Sequence, residues 1–149
     1  MTWTPHVTVA AILEMQGRFL MVEEETPDGI RYNQPAGHLE AQESLIAAIQ
    51  REVLEESAWQ FQPAGLVGIY RWQLAPGETT YLRFCFHGSV TAHDPQRPLD
   101  QGIRAALWLP LDTLRLQSRQ MRSPLVLRSL NDYLNGSRYP LELLHELAG

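Results

Sequence analysis

Three glutamates near the middle of the chain carry its clearest chemical signal. Glu52, Glu55 and Glu56 stand at positions i, i+3 and i+4, and at about 100° per residue this spacing places them on one face of a helix. Carboxylates so close together repel one another unless a cation neutralises them. Oxygen ligands suit Mg²⁺ or Mn²⁺, and Mg²⁺ typically binds one or two carboxylates together with substrate phosphates. The spacing therefore predicts a divalent-metal site that serves phosphate-ester chemistry.

The helix that carries these glutamates is well defined in the sequence. Between residues 42 and 56 no proline or glycine interrupts the chain. Apolar residues recur there at helical spacing, at Leu45, Ala48, Ile49 and Val53. Their mean direction lies roughly 60° from that of the glutamates, so the face that packs on the protein also carries the carboxylates. A solvated acidic face, which most glutamate-rich helices present, is the alternative.

Arg51 borders the glutamates and brings a cation to them. It stands four residues before Glu55, a spacing at which an arginine can pair with a carboxylate along a helix. Such a pair would hold the carboxylate in one orientation. We therefore expect Arg51 to orient the cluster, and an ordinary surface ion pair is the alternative.

Strands and further helices surround this segment. Runs of β-branched and aliphatic residues separated by turn residues predict strands at residues 6–15, 18–24, 30–34, 66–74, 79–92 and 103–109. Ser123-Pro124 and Asn135-Gly136 bracket a last helix, as an N-cap followed by proline and as a C-terminal stop. Strands mixed with helices predict an α/β fold with helices against the faces of a sheet. No repeat or linker divides residues 1–149, so we expect one domain.

Composition excludes several classes of function. All 12 basic residues are arginine, and without lysine the chain cannot form a lysine Schiff base, anchor pyridoxal phosphate or build a P-loop. The net charge of −5 repels nucleic-acid phosphates, so we expect no nucleic-acid partner. No apolar run approaches the roughly 18 residues of a membrane span, and no secretory signal stands at the N-terminus. We expect a cytoplasmic protein with no membrane partner.

Two other features are expected to be structural. Cys85 lies between two phenylalanines, a setting that indicates a buried thiol and not a nucleophile. The glutamates at 23–25 follow an apolar strand, and a run of charge in that position is usually solvated. We therefore assign neither feature to the expected site.

The segment around the three glutamates resembles the Nudix box. That motif has a glycine, five residues, a glutamate, seven residues, and then Arg-Glu-apolar-x-Glu-Glu-x-Gly-apolar. The matching residues are Gly37, Glu43, Arg51, Glu52, Val53, Glu55, Glu56 and Trp59. One position departs from the motif, because Ala58 stands where the family has glycine. If that position needs a positive φ, alanine costs on the order of 1–2 kcal/mol in backbone strain. We expect this departure to affect local stability more than catalysis, and a loss of activity is the alternative.

The resemblance implies a Nudix α/β/α sandwich, in which a mixed sheet lies between helices. It also implies hydrolysis of phosphoanhydrides that depends on Mg²⁺, with Mn²⁺ as the alternative ion. In such a site Glu52, Glu55 and Glu56 bind the metal. The backbone carbonyl of Gly37 adds a ligand, and Glu43 braces the loop and the helix.

Shorter segments extend the resemblance to a phosphatase branch of the family: PHVTVA, NQPAGHLEA, LRF, RSPLV and GSRYPLE. They imply that the substrates are nucleoside tri- and diphosphates, thiamine pyrophosphate and its hydroxymethylpyrimidine pyrophosphate precursor, with release of orthophosphate. Two alternatives stay open. One is a Nudix pyrophosphatase for another nucleoside diphosphate derivative, such as ADP-ribose or an oxidised nucleotide. The other is a noncatalytic module that binds a nucleotide; the oligomeric state is undetermined.

Residues outside the glutamate helix complete the expected site. Because Nudix enzymes recruit the general base from different places, Glu52 and Asp100 are both candidates, and Asp100 could also bind the metal. A solvated loop aspartate is the alternative for Asp100. Four aromatic or polar residues are candidates for binding the small-molecule substrate through stacking and hydrogen bonds: Tyr32, Gln34, His38 and Trp72. Each of the four could instead be structural.

Overall fold

A computed structural model describes residues 2–147 as a mixed eight-stranded sheet with helices on both faces. Its strands are β1 (His6–Met15), β2 (Arg18–Thr26), β3 (Gly29–Asn33), β4 (Ala36–His38), β5 (Trp59–Gln73), β6 (Thr80–His93), β7 (Ile103–Pro110) and β8 (Tyr139–Pro140). Its helices are α1 (Leu45–Ser57), α2 (Leu111–Leu116) and α3 (Pro124–Leu134), with short 3-10 helices at Ser118–Gln120 and Leu141–Leu143. The strand order is β3-β2-β1-β6-β5-β8, with β4 also paired to β1 and β7 to β2.

The strand β1 shows why helices cover both faces of the sheet. Residues 8–13 of this strand are all buried, and successive side chains point to opposite faces. Val9 and Ala11 pack in a core that includes Ile49 of α1. Ala10 packs in a second core, which includes Val126 of α3. A strand buried on both faces is typical of a sheet between helix layers, and the predicted α/β class is confirmed.

The helix α1 begins three residues later than the apolar spacing predicts. Gln42 has a φ of 66°, which a right-handed helix does not allow. Ser44 is the N-cap, because its backbone is extended and its hydroxyl accepts a hydrogen bond from the Ala47 N–H at 3.0 Å. The helix ends at Ser57, and Ala58 follows in the left-handed conformation with a φ of 61°.

The turns explain where the strand predictions succeed and where they fall short. The predicted hairpin of β1 and β2 is confirmed, with φ values of 53° at Gln16 and 75° at Gly17, as a tight two-residue turn requires. The strand β5 begins seven residues earlier than expected, since Pro63 and Gly65 interrupt the apolar pattern where the register shifts. The elements β4, α2 and β8 have only three, six and two residues, which is too short for a periodic signal.

The register of the central strands brings distant residues to one face. Tyr81 and Arg83 stand two residues apart on β6 and so share a face of the sheet. Trp72 of β5 pairs with Tyr81, and Thr8 of β1 pairs with Arg83. Cys85 continues this face into the core beneath α3; it is buried as expected, and burial raises the pKa of its thiol to about 11.

None of the helices within residues 2–147 has the length and hydropathy of a membrane span.

Candidate active site

Two of the three glutamates on α1 lie beside an aspartate from a distant loop. Carboxylate oxygens of Glu52, Glu55 and Asp100 all lie within 4.8 Å of one another. The Asp100 backbone N–H donates a hydrogen bond to the Glu55 carbonyl at 3.0 Å, which ties the loop before β7 to the helix. These three residues form what we call the carboxylate cluster. Three oxygen ligands at such separations fit a hard divalent cation.

Glu56 lies outside this cluster and faces the sheet. Its carboxylate accepts a hydrogen bond from the Ala36 N–H at 2.8 Å, at the start of β4. Burial, together with nearby carboxylates including Glu24 and Glu52, raises the pKa of Glu56 to about 9, although the hydrogen bond from Ala36 opposes the shift. The structure therefore separates the glutamates that the helical spacing grouped together, and it adds Asp100 to two of them.

Arg51 joins α1 to the loop that precedes it. Its Nη1 donates to Glu52 at 2.7 Å and to Glu55 at 3.3 Å. Its Nε and Nη2 donate to the two carboxylate oxygens of Glu43 at 3.0 and 2.7 Å, and Nη2 also donates to the His38 carbonyl at 3.0 Å. The hydrogen bonds to Arg51 lower the pKa of Glu43. Burial nevertheless raises the pKa of Glu52, although Arg51 opposes that shift.

Gly37 allows the buried carboxylate of Glu52 to reach the sheet. A Cβ atom added at Gly37 would collide with the carboxylate group of Glu52. Any side chain at this position would push Glu52 away from β4, because the contact is far closer than van der Waals distance. The glycine is therefore required by the geometry of the cluster and not by its own backbone conformation.

A cavity of about 760 Å³ opens beside the glutamates, a size that suits a small-molecule ligand. Glu52, Glu56 and His38 line it from α1 and β4. A second part of its lining, which we call the sheet wall, consists of Trp72, Tyr81 and Arg83. The rings of Trp72 and Tyr81 are stacked, with centroids 5.8 Å apart and planes inclined by 24°. The cavity thus combines carboxylates, aromatic rings and a buried guanidinium.

Two of the four residues expected to bind substrate do not line this cavity. The Tyr32 hydroxyl donates to Glu23 at 3.0 Å on the other side of β3. Gln34 is only 2% exposed, and its side chain donates to the Val126 carbonyl at 2.8 Å and accepts from Arg83 at 2.7 Å. The structure thus places both side chains outside the cavity lining, with their polar groups hydrogen-bonded to the protein. His38 and Trp72 do line the cavity.

Several residues of the cavity were missed by sequence reasoning. Glu24 was expected to be solvated, but its side chain lines the cavity, where burial raises its pKa and Arg122 lies 3.4 Å away. Glu24 stands two residues after the buried Val22 on β2, and alternation along the strand could have predicted that both side chains lie on the same face. Arg83 was also missed, although a charged residue inside an apolar strand is unusual. Nothing local in the sequence pointed to Tyr81.

Comparison with known proteins identifies the family. A family model described as NUDIX domain matches residues 2–129. The chain belongs to the Nudix family. Phosphatase NudJ of Escherichia coli (strain K12) is 41% identical over 140 residues, which cover 94% of this chain and 90% of that protein. A NUDIX hydrolase from Nitrosomonas europaea is 49% identical, with a TM-score of 0.92 over 97% of this chain and 98% of that one.

Membership of the Nudix family fixes the class of reaction. The chain is a Nudix hydrolase that acts on phosphoanhydrides and is similar to the phosphatase NudJ. The NUDIX domain of Shewanella oneidensis NrtR, complexed with ADP ribose, has a TM-score of 0.72 at 15% identity over 90% of this chain and 89% of that one. At that identity the likeness shows the fold alone. Nudix enzymes generally use divalent metals, and the carboxylate cluster is consistent with one.

Proposed function

We propose that this Nudix hydrolase is a Mg²⁺-dependent phosphatase of nucleoside tri- and diphosphates, thiamine pyrophosphate and hydroxymethylpyrimidine pyrophosphate. In the proposed reaction water attacks the terminal phosphorus, the anhydride P–O bond breaks, and orthophosphate leaves. The observation that carries the proposal is the carboxylate cluster at the edge of a cavity that also contains aromatic rings and arginines. The similarity to NudJ over 94% of the chain supports the same reaction.

The carboxylate cluster is the proposed metal site. Glu52, Glu55 and Asp100 would hold Mg²⁺ or Mn²⁺ through oxygen ligands, with Glu56 and the Gly37 carbonyl as the further ligands implied by the Nudix box. The bound ion would supply positive charge to the oxygens of the phosphoanhydride. The close fit of Glu52 against Gly37 supports this assignment, because it fixes a carboxylate at the edge of β4.

The protein's own residues orient the cluster and accept a proton. Arg51 holds Glu52 and Glu55 through Nη1, so neither carboxylate rotates freely. Glu52 is the better placed general base, since it lines the cavity and Asp100 does not. Asp100 is exposed and belongs to the cluster, so we assign it to the metal.

The non-phosphate part of the substrate is assigned to the aromatic side of the cavity. Trp72 and Tyr81 present a stacked pair of rings there, and aromatic faces bind the flat rings of bases and pyrimidines. His38 lies on the same cavity, with its Nε2 3.3 Å from Nδ1 of His6. We propose that Trp72 contacts the ring and that His38 supplies a hydrogen bond.

The test is phosphate release from a panel of substrates in Mg²⁺ and in EDTA. The panel contains nucleoside triphosphates, thiamine pyrophosphate and ADP-ribose, and phosphate is measured before and after inorganic pyrophosphatase is added. Cleavage of ADP-ribose gives AMP and ribose 5-phosphate, so for this substrate phosphate is measured after alkaline phosphatase is added. We expect direct, Mg²⁺-dependent orthophosphate from the first two. Phosphate from triphosphates only after pyrophosphatase would move the cleavage to the bond between the α and β phosphates. Turnover of ADP-ribose alone would favour a nucleoside diphosphate pyrophosphatase, and no turnover would favour a nucleotide-binding module.

A further inference from the structure

A buried arginine on β6 has hydrogen-bonding capacity that the protein does not use. Arg83 is 5% exposed and lines the cavity. Its Nη2 donates to Gln34 Oε1 at 2.7 Å and to Asn33 Oδ1 at 3.3 Å. Its Nε is buried and has no hydrogen-bond partner in the described part of the chain. An unpaired buried N–H is costly, so the protein alone leaves the guanidinium of Arg83 incompletely satisfied.

Arg83 also has no ion-pair partner in contact within residues 2–147. Burial lowers the pKa of its guanidinium, and the carboxylates of Glu24 and Glu56 oppose that shift only from farther away. Both of its acceptors are neutral amides, and within residues 2–147 no carboxylate oxygen lies close enough to form an ion pair with it. Glu24 is instead 3.4 Å from Arg122. Glu56 accepts its hydrogen bond from the backbone at Ala36. A buried cation is retained only where paired charge compensates its lost hydration, and an anion bound in the cavity would provide that charge.

A second arginine borders the same cavity. Arg122 lines it with its side chain about half exposed. Ser123 and Leu125 line it at the start of α3, but the first N–H groups of that helix already donate to Ser123. The guanidinium of Arg83 thus has one further positive group, Arg122, beside the same space. Phosphate is the anion that these groups recognise best, because a planar guanidinium can donate two parallel hydrogen bonds to it.

We propose that Arg83 binds a phosphate group of the substrate, with Arg122 in support. This assignment rests on the proposed phosphoanhydride substrates, and it makes Arg83 a binding residue outside the Nudix box. Arg83 is next to Tyr81 on the face that also carries Trp72. The sheet wall would therefore hold both the ring and a phosphate of one ligand, while the carboxylate cluster acts on the bond to be broken.

The experiment measures ligand binding without turnover. Binding of inorganic pyrophosphate to the metal-free protein is compared by calorimetry for the wild type, Arg83→Gln, Arg83→Lys and Arg71→Gln. Arg71 is a matched control because it is exposed on β5 and does not line the cavity. We expect Arg83→Gln to weaken binding roughly 10- to 100-fold, as the loss of a charged hydrogen bond does. Arg83→Lys should recover part of the loss, and Arg71→Gln should bind as the wild type does.

Two results would overturn the assignment. The first is that Arg83→Gln binds pyrophosphate as tightly as the wild type does, or that the wild type does not bind pyrophosphate at all. The second is an equal loss of affinity for a pyrimidine nucleoside without phosphate, which would mean that Arg83 only shapes the cavity. If Arg83→Gln fails to fold, Arg122→Gln gives the same readout with a smaller expected loss, because that residue is half exposed. Binding in EDTA does not depend on hydrolysis, so failure here is distinct from failure of the proposed activity.

Discussion

The carboxylate cluster and the sheet wall border one cavity, but they are built in opposite ways. Glu52 and Glu55 come from one turn of α1, and Arg51 on the same helix hydrogen-bonds both of them. The residues of the sheet wall come from two strands, and only the pairing of β5 with β6 brings Trp72 to Tyr81. Arg51 compensates part of the charge of the cluster, whereas Arg83 in the sheet wall has no ion-pair partner within residues 2–147.

We infer from this difference that the carboxylate cluster and the sheet wall have different roles in the site. Residues that hold reacting atoms must be fixed before substrate arrives, and the hydrogen bonds of Arg51 do this for the cluster. Residues that bind substrate can leave their hydrogen bonds unfilled until the ligand supplies the partner, as Arg83 does. We therefore expect changes in the cluster to lower kcat and changes in the sheet wall to raise KM.

The largest expected effect follows removal of one carboxylate from the cluster. Glu55→Gln keeps the size of the side chain and removes its charge, so we expect kcat to fall by roughly 10²- to 10³-fold, the usual loss for one electrostatic group at a reacting centre. Steady-state kinetics in Mg²⁺ with circular dichroism as a folding check would measure it. Glu142→Gln, at an exposed position away from the site, is the control. Near-normal turnover of Glu55→Gln would refute the proposed metal site.

The second prediction concerns pH and the metal-free protein. The pKa of Glu56 rises from 4.5 to about 9 on folding, so the folded state keeps a proton that the unfolded chain releases above 4.5. The free energy of unfolding should therefore fall as pH rises between these values. Glu56→Gln removes this dependence, and in EDTA at pH 8 it should be more stable than the wild type by up to about 5 kcal/mol. Urea unfolding at pH 5 and 8 checks it; parallel pH profiles for the two proteins would contradict it.

The third prediction tests the sheet wall. Trp72→Leu removes one ring of the stacked pair, and we expect KM to rise about 10-fold with little change in kcat, since base–aromatic stacking contributes roughly 1–3 kcal/mol. Trp3→Leu is the matched control, because Trp3 is 67% exposed and does not line the cavity. A fall in kcat with unchanged KM would show that the division between cluster and sheet wall is wrong.

The two regions also differ in how far sequence alone could predict them. Helical spacing is a local property, so it predicted the pairing of Arg51 with Glu55, which the structure shows at 3.3 Å. It could not predict that Glu56 faces the sheet and that Asp100 joins the other two glutamates. The sheet wall depends on register between strands, which no local pattern encodes. Gln34 illustrates the limit: it is polar and near the box, yet its partners Val126 and Arg83 are far away in sequence. The longer strands were predicted to within a few residues, apart from the start of β5. The short elements β4, α2 and β8 were not predicted.

The smallest expected effect concerns the residue that ends α1. Ala58 has a φ of 61°, a conformation that costs alanine about 1–2 kcal/mol, so Ala58→Gly should relieve strain. The gain is reduced because the methyl group is 2% exposed and because glycine adds entropy to the unfolded chain. We expect a net stabilisation of about 0.5 kcal/mol in urea unfolding. Gln42→Gly is the matched comparison, since Gln42 has a φ of 66° at an exposed position and loses no buried group.

Activity of Ala58→Gly then tests whether the end of α1 affects the cluster. The carboxylates of Glu52 and Glu55 precede Ala58 in the helix and are held by Arg51, so kcat should stay within about twofold of the wild-type value. If stability falls instead, packing of the buried methyl group outweighs the backbone strain. If kcat rises well beyond twofold, the strained residue displaces the carboxylates, and the cluster is less firmly held by Arg51 than its hydrogen bonds indicate.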